Sequence, residues 1–299
     1  MLLNRLGEFG LIDRFKKNIR LDNTVIKGPG DDCAVLQFDK KRYMLFSCDM
    51  ILEGVDFLKN TDPYLIGRKS LAISISDIAA CGGIPRYAVV SMAIPKWYTV
   101  SSIDKLSKGV FDLANEFKVN IVGGDISCGS RLVIDVSIIG LVEKEKLLLR
   151  SQAKKGDIIF VTGPLGGSYK SGKHLRFIPR LKEARILVDK YKINAMIDIS
   201  DGFSQDLNHL LANSSVGAVI YEQLIPVSES ARGLTDALYS GEDFELIFTA
   251  SGKYAKEIMN NRQVQFIPVG EIVDPSYGIT LITKSNKEKK ILPKGYKHF

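Results

Sequence analysis

Histidine and cysteine, the side chains that most often hold zinc, are scarce: three of one and four of the other in 299 residues. His174, His209 and His298 lie far apart. Cys33, Cys48, Cys81 and Cys128 form no C-x-x-C pair and have no histidine at zinc spacing, which excludes a zinc module. The cysteines are expected to be reduced, buried small residues. No apolar run approaches the roughly 20 residues that cross a bilayer; the longest, YAVVSMAIP and IDVSIIGLV, are strand-length. The start, MLLNRLGEFG, lacks the apolar segment and small-residue cleavage site of a signal peptide, so a cytoplasmic location is expected. Low-complexity tracts and short repeats are absent too.

What is present is ordinary globular material, 45% hydrophobic and 25% charged, long enough for two domains. The net charge of +7 lies largely in TKSNKEKKILPKGYKHF and KSGKHLRFIPRLK. A solvated basic surface accounts for the tail, and neither nucleic acid nor membrane is an expected partner. Apolar periodicity predicts a helix in GEFGLIDRFKK, strands CAVLQF and YMLFSCD, a long helix from Asp62 to Ala80, strand RYAVVSMAIP, a helix from Ile103 to Phe117, and strands VNIVGG and LVIDVSIIGLV. Charged EKEKLLLRSQAKKGD interrupts this pattern and IIFVTG opens a second block, so a domain boundary is placed between Val142 and Gly156. The domains are 1–143 and 150–299. The second block continues as helix 180–191, strand 195–199, helix 203–213, strands GAVIYE and FELIFTA, helix 252–261 and strand QFIPVGEI. The class is α+β. YAVVSMAIP and LVIDVSIIGLV are apolar at successive positions, as in strands covered on both faces.

Aspartate recurs where apolar segments break at Gly or Ser: GPGDDCAVL, FSCDM, SISDIAACGG, IVGGDIS and DISDG. One such place is ordinary turn or N-cap chemistry, but five in one chain favour a shared purpose. Asp198 and Asp201 close an apolar strand, where a carboxylate is costly unless a cation or several donors meet it. Converging carboxylates with few histidines and no paired cysteines specify a hard cation, Mg²⁺ before Zn²⁺, and Mg²⁺ commonly bridges to phosphate. Gly28, Gly30, Gly123 and Gly124 would let backbone N–H groups approach phosphate oxygens. An ATP-dependent phosphoryl transferase is the simplest chemistry that needs both. The stretch from Gly167 to His174 reads G-x-x-x-x-G-K-H, one residue from a P-loop; with Lys170, Lys173, Arg176 and Arg180 it is read as a flexible basic loop able to meet an anionic substrate.

In order and over nearly the whole chain, GEFGLIDRF, GPGDDCAVL, SCDMILEGVDF, SLAISISDIAACGGIP, VGGDIS, GDIIFVTGPLG, HLRFIPR, IDISDGFSQDL, SGEDFEL and terminal GYKHF resemble the thiamine-monophosphate kinases of the aminoimidazole-ribonucleotide-synthetase-like superfamily. The resemblance implies a two-domain α+β fold of that type, with N-terminal-domain strands forming a barrel across a homodimer. It also implies several Mg²⁺ ions, ATP as co-substrate and thiamine monophosphate as acceptor. Carried over by position, Asp32, Ser47, Cys48, Asp49, Asp77, Asp125, Asp198 and Asp201 match metal positions; Gly124, Asp125, Arg150 and Ser200 match ATP contacts; Asp56, Glu242 and Tyr296 match substrate contacts. No residue matches a general base. Two positions depart from the family pattern. Ser47-Cys48-Asp49 stands where S-T-D is usual, leaving Cys48 a backbone oxygen to offer, and Asp56 replaces the histidine of EGVHF. A carboxylate there is expected on the ring side of the pocket, facing the cationic thiazolium. Two alternatives stay open: a diverged superfamily ligase or synthetase of the aminoimidazole-ribonucleotide-synthetase type, and a catalytically silent nucleotide-binding protein.

Overall fold

A computed structural model describes residues 3–296; His298 and Phe299, part of the GYKHF signature, lie outside them. The first half runs α1 (Leu3–Lys16), β1 (Val25–Lys27), β2 (Ala34–Gln37), β3 (Arg42–Leu52), α2 (Pro63–Ala80), β4 (Ile84–Ile94), α3 (Val100–Phe117), β5 (Asn120–Cys128) and β6 (Val133–Glu143). Its six strands form one sheet in the order β1-β2-β3-β6-β4-β5, antiparallel except for the parallel β4–β5 pair. Within one chain this sheet is open. β6 alternates buried and half-buried side chains, so the chain covers one face of it and only partly the other. β5 is almost wholly exposed.

α2 is the central helix. Asp62 caps it by accepting from Tyr64 N, Pro63 sits at its first turn where the missing N–H costs nothing, and thirteen of its residues are buried, as a helix apolar on nearly every side must be. α3 packs closely along it because glycines face backbone at the crossing. A Cβ on Gly67 would lie 2.0 Å from Leu106 O, and one on Gly109 the same distance from Tyr64 O.

The second half contains β7 (Asp157–Val161), α4 (Ser168–Ser171), α5 (Lys173–Arg176), α6 (Leu181–Lys190), β8 (Ile193–Asp198), α7 (Phe203–Ser214), β9 (Gly217–Tyr221), α8 (Leu234–Tyr239), β10 (Leu246–Ser251), α9 (Gly252–Met259), β11 (Ile267–Val273), β12 (Ile279–Ile282) and β13 (Glu288–Ile291). Its mixed sheet runs β13-β12-β9-β11-β7-β10-β8. The two halves share a core in which Ala79 and Ala80 of α2 pack with Phe160, Met196 and Phe248. Arg185 locks the junction by bonding Glu143 and the Gly82 carbonyl. Among the described residues no helix is long and apolar enough to cross a membrane.

Two expectations need correction. The segment read as a flexible basic loop is two one-turn helices, α4 and α5. Lys173, the would-be P-loop lysine, and Arg180 both bond the buried Glu245 carboxylate, so their charge is spent internally. The cysteines also divide: Cys33 and Cys81 are buried, whereas Cys48 and Cys128 are exposed on β3 and β5 because alternate strand residues face away from the core.

Candidate active site

β8 ends against α2, and that contact assembles the acidic centre. Carboxylate oxygens of Asp32, Asp77 and Asp198 lie within 4.8 Å of one another, contributed by the loop before β2, by α2 and by the last residue of β8. Ser76 Oγ donates to Asp198 Oδ2 at 2.6 Å, and Ser47 Oγ donates to Asp77 Oδ2. Asp49 reaches the same place from β3, its carboxyl beside Ser74 and Asp77. Cys48, between Ser47 and Asp49, turns to the opposite face of the strand, its Sγ 3.2 Å from Asp135 Oδ2 and 3.3 Å from Ser137 Oγ. Its thiol therefore stays away from the cluster.

Arg150 is the only cation bonded to these carboxylates among the described residues. Its Nε and a terminal nitrogen donate to Asp32 Oδ1 at 3.2 and 2.6 Å, and its backbone N–H donates to the carboxylate of Asp31 at 3.1 Å. Burial works against the guanidinium charge, but Asp32 and its hydrogen bonds more than offset this and hold the pKa above the usual arginine range. The carboxyls shift the other way. Burial, then the Asp32 charge, pushes Asp198 up to about 7. Burial and the Asp49 and Asp198 charges raise Asp77 well above the ordinary range, and burial raises Asp49. Asp31 rises to about 6 from burial and Asp32.

Asp32 Oδ2 and Asp49 Oδ2 are buried with no hydrogen-bond partner. An orphaned buried acceptor costs about 1–3 kcal/mol, more when charged. Clustered, mutually repelling carboxylates with unpaired oxygens and hydroxyls alongside are a donor set suited to a hard divalent cation.

Asp201 lies one turn of chain beyond Asp198, in a different group. A carboxylate oxygen of Asp201 lies within 4.8 Å of one of Asp206 and of a ring nitrogen of His209, both on α7, and Asp206 Oδ2 accepts from the Asp201 and Gly202 N–H groups at 3.0 Å. Asp125 is remote from both. On β5 it pairs with Ser91 of β4, three strands from β3, or roughly 14 Å at the usual strand spacing. Gly124 beside it is not a gap for phosphate: a Cβ there would lie 1.9 Å from Val90 O, so the glycine is required by the β4–β5 approach. Gly123, Gly124 and Asp125 instead line an apolar groove of about 350 Å³ with Met92, Leu106 and Phe111.

Next to the acidic centre lies a cavity of about 810 Å³, bordered by Asp49, Ser200 and Asp201. Asp56, Glu242 and Tyr296 all line it. Asp56 also holds its own turn, since Oδ2 accepts the Leu52 N–H at 2.7 Å. The Tyr296 hydroxyl is raised by burial and then by the charges of Asp56, Glu242, Glu8 and Asp201, so this part of the cavity is acidic. Lys170 and Arg232 line it as well. Glu242 has φ 62° and Phe244 φ 49°, left-handed conformations that cost roughly 1–3 kcal/mol each and persist where surroundings over-determine them. Here Glu242 N bonds Ser200 O at 2.7 Å, Phe244 N bonds Ile199 O at 2.8 Å, and Ser168 Oγ bonds Glu242 O at 2.6 Å.

Sequence reasoning missed Lys69, Tyr169, Arg232 and Asp206. Lys69 had a weak signal, a charge beside Arg68 immediately before the apolar run SLAISI of a helix buried on nearly every side; the others are ordinary surface-type residues that only the tertiary fold brings to the site.

Residues 30–142 match the AIR synthase related protein N-terminal domain, and residues 137–282 the C-terminal domain. The thiamine-monophosphate kinase of Buchnera aphidicola subsp. Schizaphis graminum is 38% identical over 98% of this chain and 99% of its own. That of Bacillus subtilis is 33% identical over 98% of this chain and all of its own. In structure, AaThiL complexed with AMPPCP and TMP superposes with a TM-score of 0.88 at 31% identity, covering 100% of this chain and 99% of that one.

Proposed function

Because the chain belongs to the thiamine-monophosphate kinase family of AIR synthase related proteins, we propose that it transfers the γ-phosphoryl group of ATP to the phosphate of thiamine monophosphate, giving thiamine diphosphate and ADP. The observation that carries this reading is the juxtaposition of an acidic centre at Asp32, Asp49, Asp77 and Asp198 with a cavity that has acidic, aromatic and basic sides. Neither the ligase nor the silent-protein alternative is favoured by any feature of the site.

The acceptor phosphate has a second pKa of about 6 and is largely ionised at neutral pH, so no general base is needed. The obstacle is repulsion: at about 4 Å each unit-charge pair costs about 4 kcal/mol at an effective dielectric near 20. Divalent cations, Mg²⁺ above all, supply charge neutralisation between the phosphates when bound. Asp32, Ser47, Asp49, Asp77 and Asp198 would hold them, with the Cys48 backbone oxygen and Asp201 at the margin. Arg150 orients Asp32 and, with Ser200, meets the nucleotide. Lys170 and Arg232 meet phosphate, while Asp56, Glu242 and Tyr296 face the cationic thiazolium, which an acidic, aromatic wall attracts.

Asp125 and Gly124 enter this reading through a homodimer. Val122 and Ile126 of β5 are 60% and 69% exposed, and covering them with a second copy would close the open sheet into a shared barrel, with the partner's Asp125 brought to the acidic centre. The division into domains 1–143 and 150–299 and a cytoplasmic location belong to the same proposal. ADP release with and without thiamine monophosphate tests the reaction. Release should depend on the acceptor and stop with EDTA; acceptor-independent release, or none, contradicts it.

A further inference from the structure

Lys69 lies in the second turn of α2 with its side chain 1% exposed, in a wall of the cavity where the proposed acceptor sits. A lysine buried to that degree is rare unless paired. Its ammonium makes two bonds: an ion pair to Glu242 Oε1, and a hydrogen bond to the main-chain carbonyl of Asp56 at 2.9 Å. One side chain thus grips both acidic residues of the cavity's ring side, Glu242 through its carboxylate and Asp56 through its backbone. Glu242 keeps Oε2, which Lys69 does not occupy, and its side chain remains 27% exposed. Eight residues further along α2 is Asp77 of the acidic centre, about 12 Å away at the helical rise. The same rigid, fully packed helix therefore carries the anchor of the acceptor pocket and a carboxylate of the donor centre.

Resting on the reading above, we propose that Lys69 is a positioning residue that sets recognition of the acceptor's cationic ring: it supplies the counter-charge to the Glu242 carboxylate and fixes it against the ring, without touching the reacting phosphates. Without the ammonium, Glu242 becomes a partly buried carboxylate with no counter-ion, which favours its neutral form and frees its side chain. Ring affinity falls even though a positive charge has been removed from beside a cationic ligand. Simple electrostatics gives the opposite sign, a tighter cation in the absence of Lys69.

The test uses the full-length protein and two probes. Thiamine, which has the ring but no phosphate, is titrated by calorimetry, and thiamine monophosphate is followed in steady state. Lys69→Met should weaken thiamine binding and raise the KM for thiamine monophosphate by a common factor of about tenfold, with kcat and the KM for ATP changed less than about twofold. Lys69→Arg, which keeps the ion pair, should recover most of the loss, and Glu242→Gln, which spares Lys69, should reproduce it if Lys69→Met fails to fold. Unchanged or tighter thiamine binding in Lys69→Met, or equal losses for ATP and acceptor, would overturn the proposal while leaving the kinase reading intact. A wild-type protein that binds no thiamine and phosphorylates no thiamine monophosphate would overturn that reading itself.

Discussion

Asp198 shows most sharply what the acidic centre costs the fold. Its carboxyl stands at about 7 because burial and Asp32 disfavour the charge. A group whose folded pKa lies above its unfolded value contributes stability that is present below the unfolded value, about 3.9, and is lost as pH rises through the folded one. The metal-free protein should therefore lose stability between about pH 4 and 7 on account of this residue, roughly a few kcal/mol when the cluster is fully ionised. His209 acts in the opposite sense. Burial, then Arg150, lowers it to about 4, so its contribution is present above about pH 6.5 and falls away as pH drops toward 4. The difference between wild type and Asp198→Asn cancels the histidine. In EDTA, Asp198→Asn should melt higher than wild type at pH 8 and little differently at pH 4, and added Mg²⁺ should raise the wild-type Tm more at pH 8 than at pH 5. Thermal melts at these pH values check this; a variant less stable than wild type at pH 8 in EDTA would contradict the charge-repulsion account. The same variant should be inactive, since an amide keeps the shape but not the charge.

Single elements explain both what could be read ahead of the structure and what could not. α2 was legible almost to the residue because cap, first-turn proline and unbroken apolar face all agree. α3 begins at Val100, three residues before the periodic pattern, because Thr99 caps it by accepting from Ser102 N, a polar signal that apolar periodicity ignores. β12 and β13 were missed since ITLI is short and β13 is polar EKKI with only Ile291 buried. The five aspartate breaks were legible as a set, yet the sequence placed Asp125 and Asp201 in one group with Asp77 when strand register and the turn after β8 separate them. β5 gives the corresponding test. If its exposed face is covered by a second copy that donates Asp125, then Asp125→Asn and Asp77→Asn, each inactive alone, should complement when co-expressed. A mixed dimer has one site with both lesions and one with neither, so random pairing returns about a quarter of wild-type activity. Activity no higher than in either parent would place Asp125 outside the metal site.

On the scale of the whole molecule, catalysis rests on how two sheets meet at one helix. Ser76 and Asp77 of α2 face Asp198 of the second sheet, Lys69 faces Glu242 across the same junction, and Arg150, between β6 and β7, ties Asp32 to the second half through Ser214, whose Oγ donates to Arg150 O at 3.2 Å. Asp198 of the second half completes an acidic centre whose other carboxylates, Asp32, Asp49 and Asp77, come from the first, and the cavity beside it is lined from both halves. Such an arrangement suits a reaction in which two anions must be held together, and under the proposed reading the acceptor phosphate attacks the γ-phosphorus of ATP. Phosphorus NMR of the product mixture tests that claim most directly. Incubated with ATP, Mg²⁺ and thiamine monophosphate, the protein should convert the single acceptor resonance into the two coupled resonances of a diphosphate ester, in step with ADP and without free phosphate. Free inorganic phosphate with the thiamine monophosphate signal unchanged would contradict the account.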